Sequence, residues 1–292
     1  MRTLTLPITE ELAGRQVKTL LRRELQMAES LIARVKLRET GLLLNGERTR
    51  TNVVVQAGDV LTAEVGDDAS GWEFTPIAAP LDILFEDEDL LILNKAAGMA
   101  VHGNTERSGD CTVANALAHH LGPGYRFHPV NRLDKGTSGV MAVAKSGYIH
   151  DRLRRHLHSA QFRREYLAVA EGIVTPPCGT IALPILRDPT SPIKRMIAPD
   201  GLPARTDYET VQTGNGVTLL RLTLATGRTH QIRLHCASIG FPLVGDWLYG
   251  TEAPEHIARP ALHSAVLELT HPLTGQRLRY TAPLPADMEA LL

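Results

Sequence analysis

Apolar residues recur at helical spacing near the start of the chain and at strand spacing soon afterwards. In residues 15–36, leucine and valine side chains lie three or four positions apart, and this spacing predicts two short helices. Residues 41–65 instead form short apolar runs joined by turns, with Asn45-Gly46 as the strongest turn signal. Together the two patterns predict a small α/β module over residues 1–66.

The remainder of the chain predicts a second, larger unit. Residues 67–78 are acidic and contain glycine, which indicates a linker. From residue 79 to residue 292, apolar runs alternate with helical segments, and the pattern predicts an α+β domain with a mostly antiparallel mixed sheet. The predicted elements are two strands around an acidic turn in 81–102, a helix in 148–160, a strand in 217–226, and a helix in 229–240 that ends at Gly240.

Composition excludes several classes of protein. Hydrophobic residues make up 43% of the 292 residues, enough for a buried core, but no apolar stretch approaches the roughly 18 residues of a membrane span. The N-terminus has no hydrophobic signal region. The three cysteines lie far apart without a C-x-x-C pair, which argues against a disulfide framework and a zinc site. We therefore expect a cytoplasmic protein without a bound metal.

The net charge of −1 hides a strong asymmetry along the chain. Residues 66–95 contain eight acids and one base, whereas residues 126–166 contain nine bases and three acids, with four histidines among them. A basic segment of this kind suits a polyanion such as RNA. Arginines that solvate a helix face would give the same composition, so charge alone leaves both interpretations open.

Three clusters carry side chains that catalysis uses: Arg132-Leu133-Asp134, Arg164-Glu165-Tyr166, and Thr226 to Arg233. Each also has a structural interpretation, since Asp134 suits a turn, Tyr166 an apolar strand, and Arg233 an exposed helix face. Ser138 is not in a G-x-S-x-G elbow, and the chain has neither a G-x-x-x-x-G-K-[ST] loop nor an H-E-x-x-H motif. A triphosphatase is therefore disfavoured.

Taken together, the clusters resemble the RluA-type pseudouridine synthases, which isomerise uridine in structured RNA. The family motif H-R-L-D-x-x-T-S-G matches Asn131–Gly139, and the motif N-K-P-x-G-M-x-V-H matches Asn94–His102. The basic-x-Tyr motif matches Arg164–Tyr166. The motif T-G-R-T-H-Q-I-R-x-H matches Thr226–His235, and G-x-P-x-x-G-D-x-x-Y-G matches Gly240–Gly250. The resemblance covers about residues 80–285 and implies a pseudouridine synthase catalytic domain. The chain departs from the motifs at Asn131 (family histidine), Ala96 (proline) and Arg164 (lysine).

The resemblance also implies roles for individual residues. Asp134 would be the catalytic carboxylate, Arg233 its charge partner, and Tyr166 the ring that stacks on the target uracil and could assist removal of the C5 proton. Ile232 would pack against the base, and Arg132 would fill the space left by the flipped nucleotide. The further residues expected to bind substrate are Asn131, Arg164, Arg228 and His230. No cofactor is implied, because the reaction only rearranges atoms.

The chemistry explains why this reaction needs a carboxylate. Isomerisation breaks the bond from ribose C1′ to uracil N1, turns the base and rejoins it through C5. An anion can stabilise the positive charge at C1′, trap it covalently, or remove a ribose proton. The sequence leaves these three routes open for Asp134.

The N-terminal module resembles, more loosely, an S4 RNA-binding domain. Its helices carry basic side chains that could meet phosphates, as does the predicted helix after residue 147. The residues expected to contact RNA are Arg15, Lys18, Arg22, Arg23, Arg152 and Arg155. We expect a monomer that acts on ribosomal RNA, with transfer RNA as the alternative substrate and no membrane partner.

Two other functional classes remain open at this point. A non-catalytic RNA-binding or ribosome-assembly protein could keep the same scaffold, but it would not need Asp134, Tyr166 and Arg233 together. A hydrolase using Asp134 and a histidine would need a partner that activates water, and the sequence does not place one.

Overall fold

The computed structural model describes residues 2–67, 71–103, 109–157 and 159–292. The N-terminal part forms a four-stranded sheet with two helices. Its elements are β1 (Arg2–Pro7), α1 (Val17–Arg23), α2 (Glu29–Val35), β2 (Leu42–Leu44), β3 (Glu47–Arg48) and β4 (Val60–Val65), with the strands in the order β1-β4-β2-β3. The two predicted helices and the Asn45-Gly46 turn are confirmed, both turn residues having positive φ. Strand β1 was not predicted.

A ten-stranded sheet dominates the rest of the chain. In chain order, the elements of this part are β5 (Asp82–Glu86), β6 (Leu90–Lys95), α3 (Val113–Leu121), β7 (His128–Pro129), β8 (Ser138–Ala144), α4 (Gly147–Arg154), β9 (Phe162–Glu171), β10 (Cys178–Ile181), β11 (Ile185–Arg187), β12 (Arg195–Ile197), β13 (Thr206–Gly214), β14 (Val217–Leu224), α5 (Gln231–Ser238), β15 (Leu262–Thr270), β16 (Arg277–Thr281) and α6 (Ala286–Glu289). Strands β11 and β12 form a separate hairpin. The strand order is β10-β13-β14-β9-β15-β8-β6-β5, with β16 paired to β15 and β7 to β8.

The predicted α+β architecture is confirmed, including the mixed sheet. Strands β8 and β15 pair in parallel, whereas their other partners run antiparallel. Gly139 allows this close pairing, since its φ is +109° and a Cβ there would lie 2.2 Å from the carbonyl oxygen of Ser264. The predicted helix in 148–160 is shorter than expected, because α4 ends at Arg154. Of its remaining positions, residue 158 lies outside the described residues.

Alternating side chains on β6 and β8 divide the sheet into two buried faces. Leu90 and Ile92 pack on one face, together with apolar residues of the N-terminal part. Leu91 and Leu93 pack on the other face, in a cluster that also holds Tyr166. The N-terminal part therefore covers the face of the sheet opposite to the one that carries Tyr166.

Polar contacts join the N-terminal part to the larger sheet. The Tyr148 hydroxyl donates to the carbonyl oxygen of Leu25 at 2.7 Å, and Arg2 lies 2.7 Å from Asp89. Asp67, at the predicted linker, lies 2.8 Å from Nε2 of His128. These contacts and the shared apolar cluster argue against a solvated tether. The boundaries 1–66, 67–78 and 79–292 stay a prediction, and residues 68–70 of that linker lie outside the described residues.

Among the described residues, every helix is too short or too polar to span a lipid bilayer.

Candidate active site

Asp134 lies in a tight turn that precedes the buried strand β8. The Asp134 carbonyl accepts a hydrogen bond from the Thr137 amide at 3.0 Å, which closes the turn. The side chain is 30% exposed and faces a cleft of about 870 Å³. Its Oδ2 is 3.8 Å from Nη1 of Arg233 and 3.9 Å from Nε2 of His230. Both groups approach the same carboxylate oxygen, at distances longer than a hydrogen bond.

Arg233 is buried and anchored by a second carboxylate. Its Nε and Nη2 donate to the two oxygens of Asp246 at 2.8 and 2.7 Å, a bidentate pair, and Asp246 is fully buried. Burial disfavours the charged form of Arg233, but the hydrogen bonds and charge of Asp246 raise its pKa above the ordinary value. Asp246 thus holds a permanent positive charge beside Asp134. The sequence motif contained Asp246, but no role had been predicted for it.

His230 presents a nitrogen to Asp134 because of the residues behind it. The Arg195 amide donates to the Tyr249 hydroxyl at 2.8 Å, and that hydroxyl lies 3.0 Å from Nδ1 of His230. When the Tyr249 hydroxyl donates its proton to Nδ1, the His230 proton is on Nε2, facing Asp134. Burial lowers the pKa of His230, although the Asp134 charge opposes this, so the ring is neutral at pH 7.

Tyr166 lies in the middle of β9 and is buried at the floor of the cleft. Burial raises the pKa of its hydroxyl, the Asp134 carboxylate raises it further, and Arg164 and a hydrogen bond with Ser264 oppose the shift. Tyr166 is therefore a neutral phenol in the empty cleft at pH 7. It offers a flat ring next to the carboxylate and a hydroxyl that keeps its proton.

The cleft brings together all nine residues predicted for catalysis and substrate binding. These are Asn131, Arg132, Asp134, Arg164, Tyr166, Arg228, His230, Ile232 and Arg233. Among the described residues that line it, seven are lysine or arginine and one is acidic, which makes the cleft suitable for an RNA backbone. Arg195, Arg154 and Lys135 were not predicted at the cleft; they come from the β11–β12 hairpin, α4 and the Asp134 turn.

Asn131, which stands where the family has histidine, has a structural contact as well. It is buried, and its Oδ1 accepts a hydrogen bond from the Ala142 amide of β8 at 2.9 Å. This bond fixes the orientation of the amide group. Its Nδ2 is buried behind the cleft wall and has no hydrogen-bond partner among the described residues.

The residues predicted to contact RNA outside the cleft have partners within the chain. Arg15 pairs with Glu24, and Lys18 and Arg22 pair with Glu29. Arg23 is exposed at the end of α1. Arg152 donates to the Tyr148 hydroxyl, and Arg155 pairs with Asp151 and donates to the carbonyl oxygen of Gln26. Arg152 and Arg155 thus also contribute to the contact between α4 and the N-terminal part, and their role in RNA binding stays a prediction.

Lys95 is a buried cation behind the Asp134 turn. Its Nζ donates to the carbonyl oxygens of Ala96 and Met99, each at 2.7 Å, and of Lys135 at 3.3 Å. It therefore links the loop after β6 to the residue next to Asp134. Burial lowers the pKa of Lys95 to about 7, against the opposing effect of the Asp134 charge. No role was predicted for Lys95, because lysine is normally exposed.

We expect the stability of the protein to rise with pH above about 7 because of Lys95. Between about pH 7 and the ordinary lysine pKa of 10.5, Lys95 is mostly unprotonated in the folded chain and mostly protonated in the unfolded chain. Unfolding then takes up a proton, so the free energy of unfolding increases with pH in this window. Urea unfolding of wild type and Lys95→Met at about pH 6.5 and about pH 9.5 measures this effect. The stability of wild type relative to the variant should be greater at the higher pH. The same comparison with Lys18→Met, at an exposed lysine, should show no such trend, and a trend equal in both variants would contradict the assignment.

Comparison with known proteins places the chain in a family. The family model described as RNA pseudouridylate synthase matches residues 89–238. The chain is 37% identical over 271 residues to an uncharacterized RNA pseudouridine synthase, YjbO, of Bacillus subtilis (strain 168), with 92% of this chain and 95% of that protein covered. It is 39% identical over 270 residues to the ribosomal large subunit pseudouridine synthase D of Escherichia coli (strain K12), with coverage of 86% and 81%. The solved structure of Human RNA Pseudouridylate Synthase Domain Containing 1 matches with a TM-score of 0.59 and 26% identity, covering 75% of this chain and 90% of that one.

Proposed function

The chain belongs to the RNA pseudouridylate synthase family, isomerases that act on RNA, and from this premise we propose that it converts uridine to pseudouridine in ribosomal RNA of the large subunit. The observation that supports this best is the position of Asp134. It is the acidic residue of a cleft whose other charged side chains are cationic, and it lies beside Arg233 and Tyr166. The similarity to a ribosomal large subunit enzyme favours ribosomal RNA as the substrate.

The target uridine must leave its base stack to reach Asp134. Unstacking costs a few kcal/mol, and phosphate contacts with the cationic cleft and stacking on the Tyr166 ring offset that cost. Arg132 lines the cleft and is exposed, which supports the proposal that it fills the space the base leaves in the RNA. We therefore propose that binding energy from the cleft holds the nucleotide in its flipped position.

The carboxylate then acts at the ribose. As the C1′–N1 bond breaks, the Asp134 carboxylate either attacks C1′ or removes a ribose proton, with Arg233 and His230 beside it. The detached uracil turns on Tyr166, and C5 bonds to C1′ as the bond between Asp134 and C1′ breaks or as the ribose proton returns from Asp134. The proton on C5 is then lost and N1 gains one, so the product has the same atoms as the substrate. Because Tyr166 is neutral at pH 7, its hydroxyl can accept the C5 proton only as it gives up its own.

We also propose that the N-terminal module, which resembles an S4 domain, extends the RNA contact. Arg15, Lys18, Arg22 and Arg23 are exposed or half-buried on that module. Their partners are surface carboxylates, and exposed ion pairs of this kind contribute little to stability, so phosphates can displace them at low cost.

Mapping of pseudouridines by chemical labelling and sequencing tests the proposed function. Cells that lack the gene, or that carry it with Asp134→Asn, should both lose one or more pseudouridines from large-subunit ribosomal RNA, and the wild-type gene should restore them. Loss from transfer RNA alone would show that the substrate assignment is wrong while the chemistry stands. An unchanged set of pseudouridines in both RNA classes would overturn the proposal.

A further inference from the structure

A second cavity opens on the other side of Asp134. It has a volume of about 340 Å³ and shares Asp134, Lys135, Thr137, His230 and Arg233 with the main cleft. The two cavities therefore adjoin at these five residues. The rest of its lining is largely apolar.

Two exposed apolar side chains flank the cavity. Trp247 is 50% exposed and Ile193, from the β11–β12 hairpin, is 48% exposed. Exposure of a single apolar side chain is common, but here the two line one cavity beside the reacting carboxylate. A flat indole in this position offers a surface on which a ring can stack.

The loop that carries Trp247 is held rigidly. Asp246 accepts hydrogen bonds from the amides of Leu248 and Tyr249 at 3.1 and 3.2 Å while it binds Arg233. Gly245 has φ +73°, and a Cβ there would lie 2.4 Å from the carbonyl oxygen of Arg259. The backbone on both sides of Trp247 is thus held by buried contacts. An indole on a held backbone has only its side-chain rotamers to lose when it stacks on a ligand.

We propose that this cavity binds the nucleobase of the nucleotide adjacent to the target uridine, stacked on Trp247. The inference rests on the proposed RNA substrate but not on its ribosomal source. A nucleobase is favoured because the cavity adjoins the cationic cleft, and the exposed Lys135 lines both, where a phosphate between two nucleotides would meet a cation. Base stacking on aromatic residues tolerates any sequence, so the subsite recognises an unpaired nucleotide rather than a particular base.

The chain offers a matched pair of tryptophans for the test. It contains two, Trp247 and Trp72, and Trp72 is 47% exposed but lines neither cavity. In the Trp72→Phe protein, Trp247 is the sole tryptophan, and its fluorescence should be quenched when a nine-residue oligouridylate binds. In Trp247→Phe, where Trp72 remains, the same titration should leave the fluorescence unchanged. Binding itself is followed separately, by the anisotropy of the same oligomer carrying a 3′ fluorescein.

Affinity measurements complete the test. Trp247→Ala should weaken binding of the oligouridylate by about fivefold to a hundredfold, Trp247→Phe by no more than about threefold, and Trp72→Ala by less than about twofold. An oligomer of nine abasic ribose phosphates should bind wild type and Trp247→Ala equally, which separates lost stacking from a folding defect.

Two results would overturn the subsite. The first is an oligomer that saturates the protein without quenching Trp247, or that does not bind at all. The second is a Trp247→Ala protein that binds the oligomer as tightly as Trp72→Ala does, which is the result expected if this face meets a protein instead. None of these measurements requires turnover. A protein that shows the quenching but makes no pseudouridine in ribosomal RNA would retain the subsite and contradict the proposed substrate.

Discussion

Replacement of Asp134 with asparagine should reduce pseudouridine formation below about a hundredth of the wild-type rate while the protein stays folded. The amide has almost the same shape as the carboxylate, but it can neither stabilise the charge at C1′ nor attack it. The expected stability follows from the contacts of Arg233. Because Arg233 binds Asp246 at 2.7 and 2.8 Å and Asp134 only at 3.8 Å, its buried charge stays paired in the variant.

Activity on a large-subunit ribosomal RNA transcript and the free energy of unfolding in urea measure the two effects separately. The free energy should stay within about 1 kcal/mol of wild type. RNA affinity should stay within a few-fold, since removing an anion from the cleft reduces repulsion of phosphates. Asp110→Asn is the matched control, because Asp110 is an exposed carboxylate that pairs with Lys135, the residue after Asp134. The Asp110→Asn protein should keep wild-type activity. A variant at Asp134 with more than about a hundredth of wild-type activity would remove the residue from its proposed role.

The sequence predicted which residues meet at the site but not what holds them there. Asp134, Tyr166 and Arg233 belong to motifs in a turn, a strand and a helix, and the resemblance alone brought them together. The helix was visible in its apolar spacing. The bidentate contact of Arg233 with Asp246 depends on how the chain returns after α5, and local spacing contains no information on that path. A buried carboxylate partner of a buried arginine is therefore a feature that only the tertiary structure shows.

The N-terminal module illustrates a second limit of the sequence. The spacing of Val17, Leu20 and Leu21 shows that α1 has an apolar face, and that face is buried. Spacing does not identify the partner that buries it. In the structure the α1 residues belong to an apolar cluster that also contains Leu90 and Ile92, from a run of four apolar residues in β6 buried on both faces. A continuous run of this kind predicts a doubly covered strand, and it was the signal from which docking of the module could have been inferred.

The β11–β12 hairpin shows where the resemblance itself stops. Arg195 lines the cleft, and its amide donates to the Tyr249 hydroxyl, which lies 3.0 Å from Nδ1 of His230; Nε2 of His230 is 3.9 Å from Asp134. Neither strand of the hairpin carries a family motif, so Arg195 had no signal in the sequence. These contacts link a surface hairpin to the reacting carboxylate through His230, which has a left-handed backbone conformation, with φ 59°, at the start of α5.

Replacement of Arg233 with alanine should abolish activity and also destabilise the fold, in contrast to Asp134→Asn. Asp246 would keep its hydrogen bonds from two backbone amides but lose its cation, leaving an uncompensated charge in the interior. Breaking a buried ion pair from one side typically costs about 3–5 kcal/mol. Urea unfolding should therefore show a loss of this size, and pseudouridine formation should fall below detection because Asp134 loses its charged neighbour.

A double variant separates the structural role of Arg233 from its role beside Asp134. Arg233→Met combined with Asp246→Asn removes both charges and keeps similar volumes, so much of the lost stability should return. Activity should not return, because the guanidinium that lies 3.8 Å from Asp134 is then missing. Recovery of turnover in the double variant would show that Arg233 serves only to neutralise Asp246. A single Arg233→Ala variant with a free energy of unfolding within about 1 kcal/mol of wild type would contradict the buried pair itself, since leaving Asp246 unpaired would then cost no more than breaking an exposed salt bridge.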